Sequence, residues 1–109
     1  MSERIDLGDD HVLRFTCWDP DLGLNPQWAH LALLIRQHGP RYGAIVAHKK
    51  PDGSLCEGSI TFDTPLSRAN GTKVPLWQVH SWEPLTLSPS LLCHCGDHGF
   101  IRGGRWVRA

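Results

Sequence analysis

The spacing of apolar residues changes several times along this chain, and each change marks an element. "HVLRFTC" (11–17) alternates as a strand, with Val12 and Leu13 competing for the inner face and Cys17 at its end. "WDPDLGLNP" is dense in Asp, Pro and Gly and reads as a loop. A helix is expected over 26–38: Asn25 can cap it, Pro26 suits its first position, and Gly39-Pro40 closes it. Trp28, Leu31, Ala32 and Ile35 recur along it at helical spacing as one apolar stripe.

"AIVAHKK" and "SLCEGSITF" flank Pro51-Asp52-Gly53 and read as a hairpin. In its second strand Cys56, Ile60 and Phe62 share one face, which makes Cys56 read as a core residue. The stretch "DTPLSRANGTK" is a polar connection with an Asn-Gly turn, and "VPLWQVHSW" is a third strand. "EPLTLSPSLLCHC" is extended chain broken by prolines, and "GFIRGGRWVRA" is a closing hairpin turned by Gly103-Gly104. Five or six strands and one helix make a small α+β domain on an antiparallel sheet, spanning 11–109 behind a loose, polar segment at 1–10.

A chain of 109 residues has room for one domain with a modest core, which a metal or a dimer interface would help. Eleven basic and eleven acidic side chains cancel, so no global field draws nucleic acid or an anionic membrane, and Arg102, Arg105 and Arg108 read as a solvated face. There is no apolar run of the ~18 residues a membrane helix needs, and the charged start "MSERIDLGDD" does not read as a signal peptide. The expectation is a cytosolic protein whose four cysteines are reduced, as metal ligands or buried thiols.

Candidate chemistry concentrates in "LLCHCGDHGFIRGGRW" (91–106). Cys93 and Cys95, two apart on an extended segment, point to one side, and Gly96 lets the chain turn so that His98 can come back toward the sulfurs. Zinc accepts both thiolate and imidazole, and a fourth ligand is expected from Cys17, or alternatively His80. The competing reading makes Cys93 a core residue that continues "SLL" and His98 a surface side chain in a turn. His94 would point away, and Asp97 reads as a turn residue bonded to its own backbone. The C-x-C spacing differs from the C-x-x-C of redox pairs, and no nucleophile elbow or phosphate loop is present. Catalysis would require metal-dependent hydrolysis at an open coordination position.

The stretch from Trp82 to Trp106 resembles the C-terminal half of a family of small uncharacterised bacteriophage and prophage proteins. Trp82, Thr86, Ser88, Pro89, Ser90, Leu91, Cys95, His98, Phe100, Ile101, Gly103 and Gly104 carry the likeness, which covers less than a quarter of the chain. Leu85 interrupts the pattern between Pro84 and Thr86, and an N-terminal cysteine knuckle is reduced to Cys17. The resemblance implies a metal-bound domain from a phage of an actinobacterial host. Five tryptophans exceed what one small core readily hides, so Trp18, Trp77, Trp82 and Trp106 are expected to form an interaction surface. The resulting expectation is a module that binds a host or phage protein, with a head or tail component of the virion as the alternative.

Overall fold

A computed structural model describes residues 4–18, 26–69, 71 and 73–109. The chain runs through β1 (Arg4–Gly8), β2 (His11–Cys17), a 3₁₀ turn (Pro26–Trp28), α1 (Ala29–His38), β3 (Arg41–Lys49), β4 (Leu55–Phe62) and α2 (Pro65–Ala69). It continues through β5 (Leu76–Trp82), β6 (Leu85–Ser88), β7 (Leu91–Leu92), β8 (His98–Arg102) and β9 (Arg105–Arg108). The fold is α+β and dominated by strands, as the alternation predicts. The expected cap Asn25 and the first residue of the Asn70-Gly71 turn lie outside the described residues.

Strands β1 to β6 form one sheet in sequence order, and β7 to β9 form a second, three-stranded sheet. All neighbours are antiparallel except β4 and β5, so the large sheet is mixed where an antiparallel one was expected. The connection from 63 to 75 causes this, because a parallel neighbour needs a crossover of about a dozen residues rather than a tight turn. Within it Thr64 Oγ1 accepts the Ser67 N–H at 3.2 Å and Pro65 opens the short α2, whose Leu66 is fully buried. The expected polar loop therefore contributes a second helix, which lies against α1.

Nor is the N-terminal segment loose throughout. Arg4–Gly8 pairs with β2, and Leu7 enters the core at 1% exposure. The turn that joins β1 and β2 holds Asp9 and Asp10 at φ 51° and 60°, a left-handed conformation that non-glycine residues adopt at a cost.

The core lies between the two sheets. Leu13 and Phe15 of β2, Ala44 and Val46 of β3, Ile60 and Phe62 of β4, and Leu85 and Leu87 of β6 meet Leu91, Ile101 and Trp106 of the smaller sheet. Register lines up the inward positions in rows: Phe15, Ala44 and Ile60 in one, Leu13, Val46 and Gly58 in the next, then His11, His48 and Cys56. The same face is hydrocarbon along most of its length and carries nitrogen and sulfur at one end.

The tryptophans do not form one exposed surface. Trp106 is buried, over a Gly99 whose hydrogen leaves the only space the indole has, since a Cβ there would lie 2.5 Å from the ring. Trp77 packs against the core, Trp18 tilts on Tyr42 at 5.1 Å, and Trp82 meets Phe62 edge-on at 5.4 Å while remaining 38% exposed. Shape-matched aromatic contacts inside a small core account for most of them.

Candidate metal centre

Three turns meet at the nitrogen- and sulfur-bearing end of the core face. The β3–β4 hairpin places His48 directly opposite Cys56. The segment from Cys93 to Asp97 folds back on itself, with Gly96 N–H donating to the Cys93 carbonyl at 2.8 Å and Cys93 N–H to the Asp97 carbonyl at 2.7 Å. Gly96 sits at φ 95°, which is the turn expected of it.

His48, Cys56, Cys93 and Cys95 converge here, each with a ligand atom within 4.8 Å of the other three. Cys56 Sγ is 3.0 Å from Cys93 Sγ, and Cys95 Sγ is 3.3 Å from His48 Nε2. A tetrahedral ion with metal–sulfur and metal–nitrogen bonds of about 2.3 and 2.0 Å needs ligand separations of about 3.5–3.8 Å. The separations lie within about an ångström of that arrangement, so shifts of this size in the side chains would let these four donors hold a metal.

The electrostatics point the same way. The neighbouring Cys93 sulfur, then burial and the Cys95 sulfur, push the Cys56 thiol up to about 12. Burial also acts to raise Cys93, but the hydrogen bonds it accepts from Cys56 and from the Cys95 backbone outweigh it and hold Cys93 below the ordinary thiol range. Without a cation, Cys56 therefore keeps its proton and donates it toward Cys93. Three thiolates at these distances would repel one another, and a divalent ion removes that repulsion.

Two of the four expected ligands are in place, Cys93 and Cys95. His98 is not: it pairs with Leu92 across β7 and β8, Leu92 is 70% exposed, and opposite residues of a sheet share a face. Its Nε2 meets Ser90 Oγ at 2.8 Å instead. Cys17 ends β2 six residues from His11, roughly 20 Å away at the rise of a strand. His80 is exposed and bonded to Ser88 Oγ at 2.6 Å. Replacing them are His48 and Cys56, which the hairpin register could have revealed. Counting back from the Pro51-Asp52-Gly53 turn pairs the two residues on the face shared with Val46 and Ile60.

Asp97 also departs from its expected role as a local turn residue. Its Oδ2 accepts from His11 Nε2 at 2.5 Å and lies 3.8 Å from His48 Nε2. Cys95, His48 and Asp97 thus stand together, yet sulfur and carboxylate both face the same imidazole nitrogen. A nucleophilic relay needs them on opposite nitrogens of the ring, whereas donors converging on one point suit a cation. His94, expected to point away, has Nε2 3.7 Å from Cys56 Sγ and flanks the sulfurs.

Compared with known proteins, the chain matches no family model, no curated protein and no solved structure. Among the described residues, no helix is long and apolar enough to cross a membrane.

Proposed function

We propose that the chain is a zinc-stapled, protein-binding module of phage type that works in the cytoplasm of a bacterial host. The observation that carries the reading is the convergence of Cys56 and His48 from the large sheet with Cys93 and Cys95 from the β7–β8 loop of the small one. Three sulfurs and one imidazole favour zinc over harder ions. Four protein donors also leave no position for a substrate water, which favours a staple over metal-dependent hydrolysis. A core this small gains from such a link, because β7 contributes only two residues of pairing.

Support for a protein partner comes from the outer face of the small sheet. Leu92 and Val107 are exposed there beside Phe100, and Arg102 lies 4.0 Å over the Phe100 ring. Apolar contacts bordered by arginine are common in protein interfaces. The neutral net charge gives no support to nucleic-acid binding.

Elemental analysis of untagged protein tests the staple: one zinc per chain, lost in His48→Ala and Cys56→Ser and retained in His98→Ala. Retention of zinc in His48→Ala together with loss in His98→Ala would overturn this ligand set. Leu92→Asp should keep its zinc and lose its partner in a co-purification from infected cells. Recovery of the protein in intact particles would instead assign it to the virion.

A further inference from the structure

His11, His48 and Asp97 form a second group of donors, with their ligand atoms within 4.8 Å of one another. They open onto a cleft of about 650 Å³ where the β1–β2 turn, the β3–β4 turn and the loop before β8 come together. We propose that these three residues are a second cation site, for a divalent ion that prefers nitrogen and oxygen, and that it competes with the thiolate site for His48.

The hydrogen bond that anchors the far side of the His11 ring is the independent sign. Its Nδ1 donates to the Asp9 carbonyl at 2.6 Å, which fixes the ring and directs Nε2 at Asp97; a cation bound there would replace the Nε2 proton, which is released to solvent. A metal-binding histidine almost always donates its other nitrogen to a carbonyl or carboxylate in this way. The backbone presenting that carbonyl is the left-handed Asp9-Asp10 turn, so local strain is maintained where the ring is anchored. His11 is also clamped between two rings, Trp106 at 4.1 Å and His48 at 4.9 Å, both nearly parallel to it. Its orientation is therefore set before any ion arrives, at 3% exposure.

The donor chemistry identifies the class of ion. Two imidazoles and one carboxylate, at a cleft open to solvent, suit nickel, cobalt, manganese or ferrous ions. Cys56, Cys93 and Cys95 remain as a thiolate trio that a sulfur-seeking ion can hold without His48. Zinc at the first site engages His48 and weakens the second; cadmium, held by sulfur, leaves His48 free. This competition goes beyond the zinc reading, and the second site does not depend on it.

The test begins with reduced, metal-free protein given one equivalent of cadmium, followed by nickel in equilibrium dialysis. Bound ions are counted by elemental analysis, and tryptophan emission is recorded because Trp106 stacks on His11. We expect one cadmium and one nickel per chain, with nickel quenching the emission. Asp97→Asn and His11→Gln should weaken nickel at least about tenfold and leave cadmium bound. Asp97→Asn is the primary variant, because Asp97 lies at the cleft and the change keeps its shape, while far-ultraviolet circular dichroism confirms the fold of each. Failure of the cadmium-loaded chain to take nickel, or unchanged nickel binding in Asp97→Asn, would overturn the second site. Absence of a thiolate-to-cadmium absorption band would overturn the staple alone, and the nickel result would still decide this proposal.

Discussion

The two ends of one sheet face are built by the same rule and held by different forces. At one end Phe15, Ala44 and Ile60 stand in a row across three strands, and at the other His11, His48 and Cys56 occupy the equivalent row. The apolar end gains about 1.5–3 kcal/mol for each large side chain removed from water, whatever the ionic conditions. At the other end, groups that prefer water are buried against one another. Their burial is favourable only when hydrogen bonds or a cation satisfy them. Position on a pleated face thus tells where a side chain goes, and its chemistry tells what must come with it.

Metal removal should separate the ends most sharply. An ion at a thousandfold excess over its Kd stabilises by about 4 kcal/mol, and more as affinity tightens. A chelator should therefore lower the Tm of the wild-type chain by many degrees and leave Cys56→Ser, already without metal, unmoved. Equal chelator sensitivity of the two would remove the distinction between the ends.

Next in size comes Phe62→Ala at the apolar end, where Phe62 is fully buried. The expected loss is about 3–5 kcal/mol by urea denaturation, the same with and without chelator.

The two states should differ in pH dependence above the ordinary thiol range, whereas below it the lowered Cys93 value makes the metal-free chain, like the loaded one, lose stability as pH falls. In the metal-free chain the raised Cys56 value favours the folded state fully below the ordinary thiol value of 9.0, and that stabilisation disappears as pH rises toward about 12. Metal binding requires the thiols to lose their protons, so the loaded chain should release its ion as pH falls. Denaturation midpoints against pH, with and without zinc, will read both dependences, and parallel curves above the ordinary thiol range would sink the assignment. The smallest effect should come from Thr64→Ala, which removes the α2 cap for about 1 kcal/mol, far from the ligands, without changing zinc content.

Much of the fold was legible in the chain. The β3–β4 hairpin, the 26–38 helical stretch and the Gly103-Gly104 turn follow from alternation and turn chemistry, and the Cys93–Asp97 turn from Gly96. Also legible, though not read as such, was the Thr64-Pro65 helix start inside a segment whose polar composition suggested a loop. Within the candidate centre, Cys93 and Cys95 were found from local spacing. The alternation places Cys56 on the core face, which makes it read as a core thiol and a less favoured ligand than Cys17. Apolar neighbours along one strand say nothing about what a second strand puts opposite.

The sequence by itself determined which side chains share a face and where the chain turns, because those depend on a period of two residues and on left-handed backbone at a few positions. Only the tertiary structure decided which faces meet. The parallel pairing of β4 with β5, the meeting of His11 with Asp97 across 86 residues, and the contact of the β7–β8 loop with His48 and Cys56 are long-range events. Local spacing cannot encode them, since the partners of Cys93 and Cys95 are fixed by how two sheets pack and not by their distance along the chain.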